Sequence, residues 1–72
     1  MLHIGGQKYV VRAKITYVGE VEGHLLEGRE VIDICPEGKE PKAIILTNDG
    51  KAFITFLSAW SIARRFGGKD NE

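Results

Sequence analysis

The sequence lacks the features that most often stabilise or localise a very short chain. It has one cysteine, Cys35, so no disulfide can form within it, and its two histidines do not combine with Cys35 at a common zinc spacing. It has no run of about 18 apolar residues and no signal-peptide pattern, which predicts a cytoplasmic protein without a membrane span. We therefore expect no metal, no cofactor and no membrane partner.

The shortness of the chain is informative in itself. Its 72 residues, of which 43% are hydrophobic and two are proline, are typical of one folded domain rather than of a disordered segment. A chain of this size buries only about 60–65% of the surface that its unfolded form exposes. Because neither a disulfide nor a metal is expected to add stability, we expect self-association to contribute it.

The charges balance in number but not in position. Residues 1–15 contain three cations and no acid, residues 16–37 contain six acids and one cation, and residues 51–69 contain four cations and no acid. If the two basic segments fold onto one face, a neutral chain presents a positive surface to a polyanion. The alternative is that the charges alternate in space and only solvate the surface.

Most of the chain up to residue 41 has the pattern of short strands. Apolar and β-branched residues predict strands over 2–4, 8–11, 15–18 and 31–35. Arg12-Ala13-Lys14 is expected to form a one-turn connection or a bulge. The three glycines within 19–30 favour a loop with a helical turn over a stable helix. Two prolines and a glycine predict a loop over 36–41.

The clearest local pattern is a strand, a tight turn, a second strand and a short helix. Residues 43–47 are nearly all apolar, which predicts a central strand covered on both faces, and Asn48-Asp49-Gly50 is typical of a hairpin turn before residues 53–56. Ser58 is the expected helix N-cap and Gly67 the C-cap glycine. Ala59, Ile62, Ala63 and Phe66 form the expected apolar stripe.

These elements predict an α+β fold, in which a small, mostly antiparallel β-sheet carries a short C-terminal helix. We expect a single domain over residues 1–66 and a flexible polar tail over 67–72.

Three segments stand out by their order along the chain. The first is Leu2-His3-Ile4-Gly5 followed by Tyr9-Val10-Val11, and the second is the Pro41–Thr47 segment with its basic residue before an aliphatic strand. The third is the strand–helix end, with Ser58, Ile62 and Arg64-Arg65. Together they resemble the RemA/RemB family of bacterial extracellular-matrix (biofilm) regulatory proteins, most closely the RemB-like branch. The resemblance covers most of the chain except residues 19–30.

The resemblance implies a ring-like homo-oligomer that binds promoter DNA through basic residues repeated around the ring. We expect the DNA to be double-stranded and AT-rich, because contacts to phosphates alone leave specificity to DNA shape. The sequence departs from the family pattern at Ala13 and Glu40, where an arginine is usual. Glu40 and the zero net charge favour the alternative function, an oligomeric protein-interaction scaffold of the same fold without DNA binding.

Six cations are candidate phosphate contacts, each with an alternative role. Lys39 and Lys42 can instead pair with Glu37 and Glu40. Arg64 and Arg65 fall in the last turn of the helix, where cations complement the helix dipole and the terminal carbonyls. The remaining two, Arg12 and Lys14, can be ordinary solvated surface residues.

Trp60 falls off the apolar stripe of the helix, which predicts a subunit-interface anchor or a lid over the sheet edge. Cys35 has no predicted base beside it, and the Gly5-Gly6 pair lacks a phosphate-loop spacing. No catalytic residue and no small-molecule substrate are therefore predicted, and we expect the protein not to be an enzyme.

Overall fold

The computed structural model describes residues 1–6 and 8–67, in which six strands and one α-helix form. The elements are β1 (Leu2–Gly5), β2 (Lys8–Val10), β3 (Ile15–Gly19), β4 (Glu30–Asp33), β5 (Ala43–Thr47), β6 (Lys51–Thr55) and α1 (Ala59–Gly67). Two short 3-10 turns, Arg12–Lys14 and Gly23–Leu26, connect β2 to β3 and β3 to β4.

The strands belong to two sheets. β1 and β2 form an antiparallel hairpin, and the other four strands lie in the order β3-β5-β6-β4, in which only β4 and β6 run parallel. The α+β prediction, a mostly antiparallel sheet with a short C-terminal helix, is confirmed. The predicted single sheet is divided in two, because the β1–β2 hairpin packs against the face of the larger sheet instead of extending its edge.

The central strand β5 is buried at all five positions because both faces of the larger sheet are covered. On one face, Ile45 and Phe53 pack with Ile62 of α1 and with the hairpin side chains Leu2, Ile4 and Val10. On the other face, Ile44, Leu46 and Ala52 are covered by Val21, Leu25 and Leu26. Segment 20–29, which contains the Gly23–Leu26 turn, therefore covers the second face of the sheet.

Helix α1 begins as predicted and packs less than predicted. Ser58 Oγ accepts a hydrogen bond from the Ser61 amide at 3.1 Å, so Ser58 is the N-cap. Of the predicted apolar stripe only Ile62 is fully buried, whereas Ala63 and Phe66 are exposed. The nine-residue helix therefore contacts the core along a narrow strip of its surface. Gly67 is the last residue of α1 rather than a cap beyond it. The predicted tail from residue 68 onward lies outside the described residues.

The β5–β6 hairpin defines two ends of the larger sheet, the turn end and the opposite end. The turn end carries Asn48–Gly50 and the first residue of β6, Lys51. The opposite end carries Ala43 paired with Thr55, from which the chain leads into α1. The five residues of β6 separate the two ends by roughly 13 Å at about 3.3 Å per residue.

Candidate nucleic-acid interface

The six predicted DNA-contacting cations fall into three groups instead of one surface. Lys39 and Lys42 lie at the opposite end of the sheet, and Arg64 joins them through Trp60. Arg12 and Arg65 meet where the last turn of α1 passes the β1–β2 hairpin. Lys14 lies at the turn end.

Two members of the first group, Lys39 and Lys42, line a groove of about 450 Å³ at the opposite end. Lys42 is anchored there because its amide donates a hydrogen bond to the Thr55 carbonyl at 2.9 Å, and the Lys39 amide closes a turn by donating to the Pro36 carbonyl at 3.1 Å. The Lys39 ammonium lies 6.0 Å from the centre of the Phe56 ring. The groove is lined by Gly38, Lys39, Glu40, Lys42 and Phe56. Two lysines and one glutamate therefore line the same space.

Lys42 also lines a second groove of about 490 Å³, together with Trp60. Trp60 is 67% exposed, and the Arg64 guanidinium lies 4.7 Å from its ring centre, within the range of a cation–π contact. Glu20, Val21, Pro41, Ser58 and Ala59 complete the lining. Lys42 therefore lies between the two grooves, with Lys39 in the lining of the first and Arg64 against the Trp60 ring of the second.

Arg12 and Arg65 are engaged in holding the helix. Arg12 Nη2 donates to the Arg65 carbonyl at 2.7 Å, which satisfies one of the terminal carbonyls of α1. Arg65 Nη1 donates to the carbonyl of His3 at 3.3 Å and to its Nδ1 at 3.2 Å. A last-turn cation was expected to bind the terminal carbonyls, and Arg12, from a distant segment, does so instead. Arg65 links α1 to β1.

His3 has a structural role that follows from the same contact. Its Nε2 lies 2.6 Å from the Gly6 carbonyl, and its ring lies 5.1 Å from that of Tyr9. Since Arg65 can only donate, Nδ1 is the acceptor and Nε2 carries the proton donated to Gly6. His3 therefore fastens the β1–β2 turn.

Lys14 lies in a hollow at the turn end, with two lysines that sequence analysis did not select. This hollow has a volume of about 200 Å³. Its lining consists of Met1, Lys8, Tyr9, Val10, Val11, Lys14, Thr47, Asp49, Lys51 and Phe53. Lys51 follows a turn and Lys8 begins a strand, so local pattern gave no reason to place them together. Only the packing of the β1–β2 hairpin on the sheet does so.

Asp49 is the acid of this hollow. Its carboxylate lies 3.8 Å from the Lys14 ammonium. A hydrogen bond from the Thr47 hydroxyl lowers the pKa of Asp49 below its ordinary value, the charges of Lys51 and Lys14 lower it further, and partial desolvation opposes them. Asp49 is therefore ionised at neutral pH.

Cys35 is half-buried, and its Sγ donates to the Lys39 carbonyl at 3.1 Å. Among the residues that the structure describes, no three His, Cys, Asp or Glu side chains gather as metal ligands would, and no helix is long and apolar enough to cross a membrane. A scan against models of known protein families, a search of curated proteins and a search of solved structures each found no match.

Proposed function

We propose that this protein is a cytoplasmic, non-enzymatic DNA-binding transcription regulator that acts as a ring-like homo-oligomer. The proposal follows the resemblance to the RemA/RemB extracellular-matrix regulators, with AT-rich promoter DNA as the partner. One observation supports it most: Lys42 lines two grooves, of which one also contains Lys39 and the other contains Trp60, against whose ring Arg64 lies.

The chemistry of this surface suits a DNA backbone. Lysine and arginine side chains bind phosphates without reading bases, and each neutralised phosphate releases a counterion. One protomer offers few such contacts, but a ring repeats them along the duplex and multiplies a weak affinity. Sequence preference would then come from how readily AT-rich DNA bends around the ring.

Self-association has its own support. β3 and β4 each pair with a single strand among the described residues, so both edges of the larger sheet are open to a further strand. Large apolar side chains that a monomer leaves exposed include Trp60, Tyr9 and Val31. An assembly would cover such groups.

The alternative function is a protein-interaction scaffold of the same fold without DNA binding. It is favoured by two carboxylates in the proposed surface: Glu40 lines the groove of Lys39, and Glu20 lines the groove of Trp60. Each would repel a phosphate that approaches Lys42.

The test is fluorescence anisotropy of a labelled AT-rich duplex at about 50 and 200 mM salt, with a GC-rich duplex of equal length alongside. For the wild type we expect the affinity to fall by orders of magnitude at the higher salt. Lys39→Ala/Lys42→Ala should weaken binding about tenfold or more at low salt, because each protomer loses two phosphate contacts. Lys39→Arg/Lys42→Arg keeps both charges and should keep the affinity.

Glu40→Gln should change the DNA affinity in the opposite direction, because removal of the repelling carboxylate should strengthen binding. A wild-type protein that is folded and oligomeric but binds neither duplex at low salt would contradict DNA binding and favour the scaffold.

A further inference from the structure

The hollow at the turn end brings together three ammonium groups from three different elements. Lys8 comes from β2, Lys14 from the 3-10 turn before β3, and Lys51 from the start of β6. All three line the same space of about 200 Å³, and among the residues that the structure describes Asp49 is the one acid in its lining. Like charges repel, so such convergence is unfavourable unless an anion compensates it.

Contacts position two of the lysines, and strand geometry places the third. The Lys8 ammonium lies 5.6 Å from the ring centre of Phe53, and Lys51, two residues before Phe53 on the same strand, lies on the same face. Lys14 is positioned by its carbonyl, which accepts a 2.7 Å hydrogen bond from the Asn48 amide, and by the ion pair with Asp49. All three cations therefore belong to the turn end.

The charges do not cancel within the hollow. Asp49 compensates one of the three ammonium groups, and the low pKa of its carboxyl keeps it ionised. Glu30 is the register partner of Lys51 in the parallel β4–β6 pair and is not among the described lining residues. Among the described lining side chains two positive charges remain in excess, which matches the charge of a phosphate monoester near neutral pH.

We propose that this hollow is a phosphate-binding site whose ligands are the ammonium groups of Lys8, Lys14 and Lys51. The phosphate can belong to the DNA backbone, in which case the site deepens the proposed function and rests on it. It can equally belong to a free nucleotide, whose flat base would fit the exposed Tyr9 ring and the apolar side chains of Met1 and Val11 at the rim.

Phosphate binding is tested on the ¹⁵N-labelled protein by NMR, with inorganic phosphate and then adenosine monophosphate as probes at constant ionic strength. We expect saturable shifts of the amide signals of Lys8, Lys14 and Lys51. Adenosine monophosphate should in addition shift Tyr9 and Val11. Lys8→Gln/Lys51→Gln should weaken binding about tenfold or more, and Asp49→Asn should strengthen it about fivefold, because one repelling charge is removed.

The two sources of phosphate are separated by duplex binding. If the hollow binds the DNA backbone, Lys8→Gln/Lys51→Gln weakens duplex affinity and lowers its salt dependence. If it binds a free nucleotide only, the double variant keeps duplex affinity while losing the nucleotide. Both results support the site.

The inference is overturned if neither probe gives saturable shifts and duplex affinity is unchanged in Lys8→Gln/Lys51→Gln and in Asp49→Asn. Duplex binding that depends on Lys39 and Lys42 alone would then leave the proposed function standing. Conversely, saturable phosphate-induced shifts in a protein that binds no duplex would support the phosphate site and contradict the proposed DNA-binding function.

Discussion

Single buried polar residues hold the two sheets of this small protein together, and Thr55 is the main example. Thr55 is fully buried at the end of β6, where its hydroxyl donates a hydrogen bond to the Ile4 carbonyl of β1. The same oxygen accepts a hydrogen bond from the Leu57 amide at 3.3 Å. Gly5 permits this approach, because it has a φ of +131° and a Cβ there would lie only 2.6 Å from Thr55 Oγ1.

Thr55→Val should therefore destabilise the protein by about 1–3 kcal/mol, since it keeps the side-chain shape but leaves the buried Ile4 carbonyl without its donor. Urea unfolding followed by circular dichroism measures the change. Thr55→Ser, which keeps the hydroxyl and loses one methyl group, is the matched control and should lose about 1 kcal/mol. A valine variant as stable as the wild type would show that the hydroxyl does not join the two sheets.

At the scale of elements, helix α1 depends on a small number of identified contacts. It is held by Ile62, by the N-cap Ser58 and by the hydrogen bonds that link Arg65 to Arg12 and to His3. Nine residues are too few for a helix to be stable in isolation, so these contacts decide whether it forms. The proposed DNA surface depends on α1, because Trp60 and Arg64 both lie on it.

Ser58→Ala should lower the free energy of unfolding by about 1 kcal/mol, because the Ser61 amide loses its acceptor. Ser58→Asp supplies another acceptor and a charge that suits a helix N-terminus, so it should retain the stability of the wild type. Denaturant titrations of the three proteins make the comparison. Equal stability of the alanine and aspartate variants would mean that the cap contributes nothing.

At the scale of the whole molecule, the cations occupy opposite ends of the sheet. Lys42 lies beside Thr55 and Lys51 begins β6, so one protomer cannot present all its cations as a single patch. In the proposed ring, copies of the protomer would repeat both groups along the duplex. Exposed apolar side chains lie beside both groups, Trp60 near Lys42 and Tyr9 near Lys51.

In the proposed homo-oligomer, Trp60→Ala should reduce the size of the assembly, because a central aromatic at a subunit interface commonly contributes about 2 kcal/mol or more, equivalent to a roughly 30-fold weaker association. Size-exclusion chromatography with light scattering gives the mass across a dilution series. Trp60→Phe retains an aromatic ring and should keep most of the association. If the alanine variant keeps the native mass at every concentration, Trp60 does not contribute to a subunit interface.

Local pattern was a good guide to individual elements and a poor guide to the grouping of charges. The β5–β6 hairpin and the Ser58 cap follow from residue types within a few positions of each other, and both are present as predicted. Of the six predicted DNA contacts, Lys39 and Lys42 share a groove. Arg12 instead donates a hydrogen bond to the Arg65 carbonyl at the end of α1. Lys8 and Lys51 were not predicted at all, because they are 43 positions apart and meet only through hairpin packing.

Residue types within short windows are enough to predict the strands, the hairpin turn and the start of the helix, because each depends on apolar period, turn chemistry or capping. Only the folded molecule shows that β4 runs parallel beside β6, that segment 20–29 covers the second face of the sheet, and that the predicted DNA-contacting cations form three groups. These features depend on contacts between segments distant in the chain. No local pattern encodes them, since they follow from which faces the folded chain can bury together.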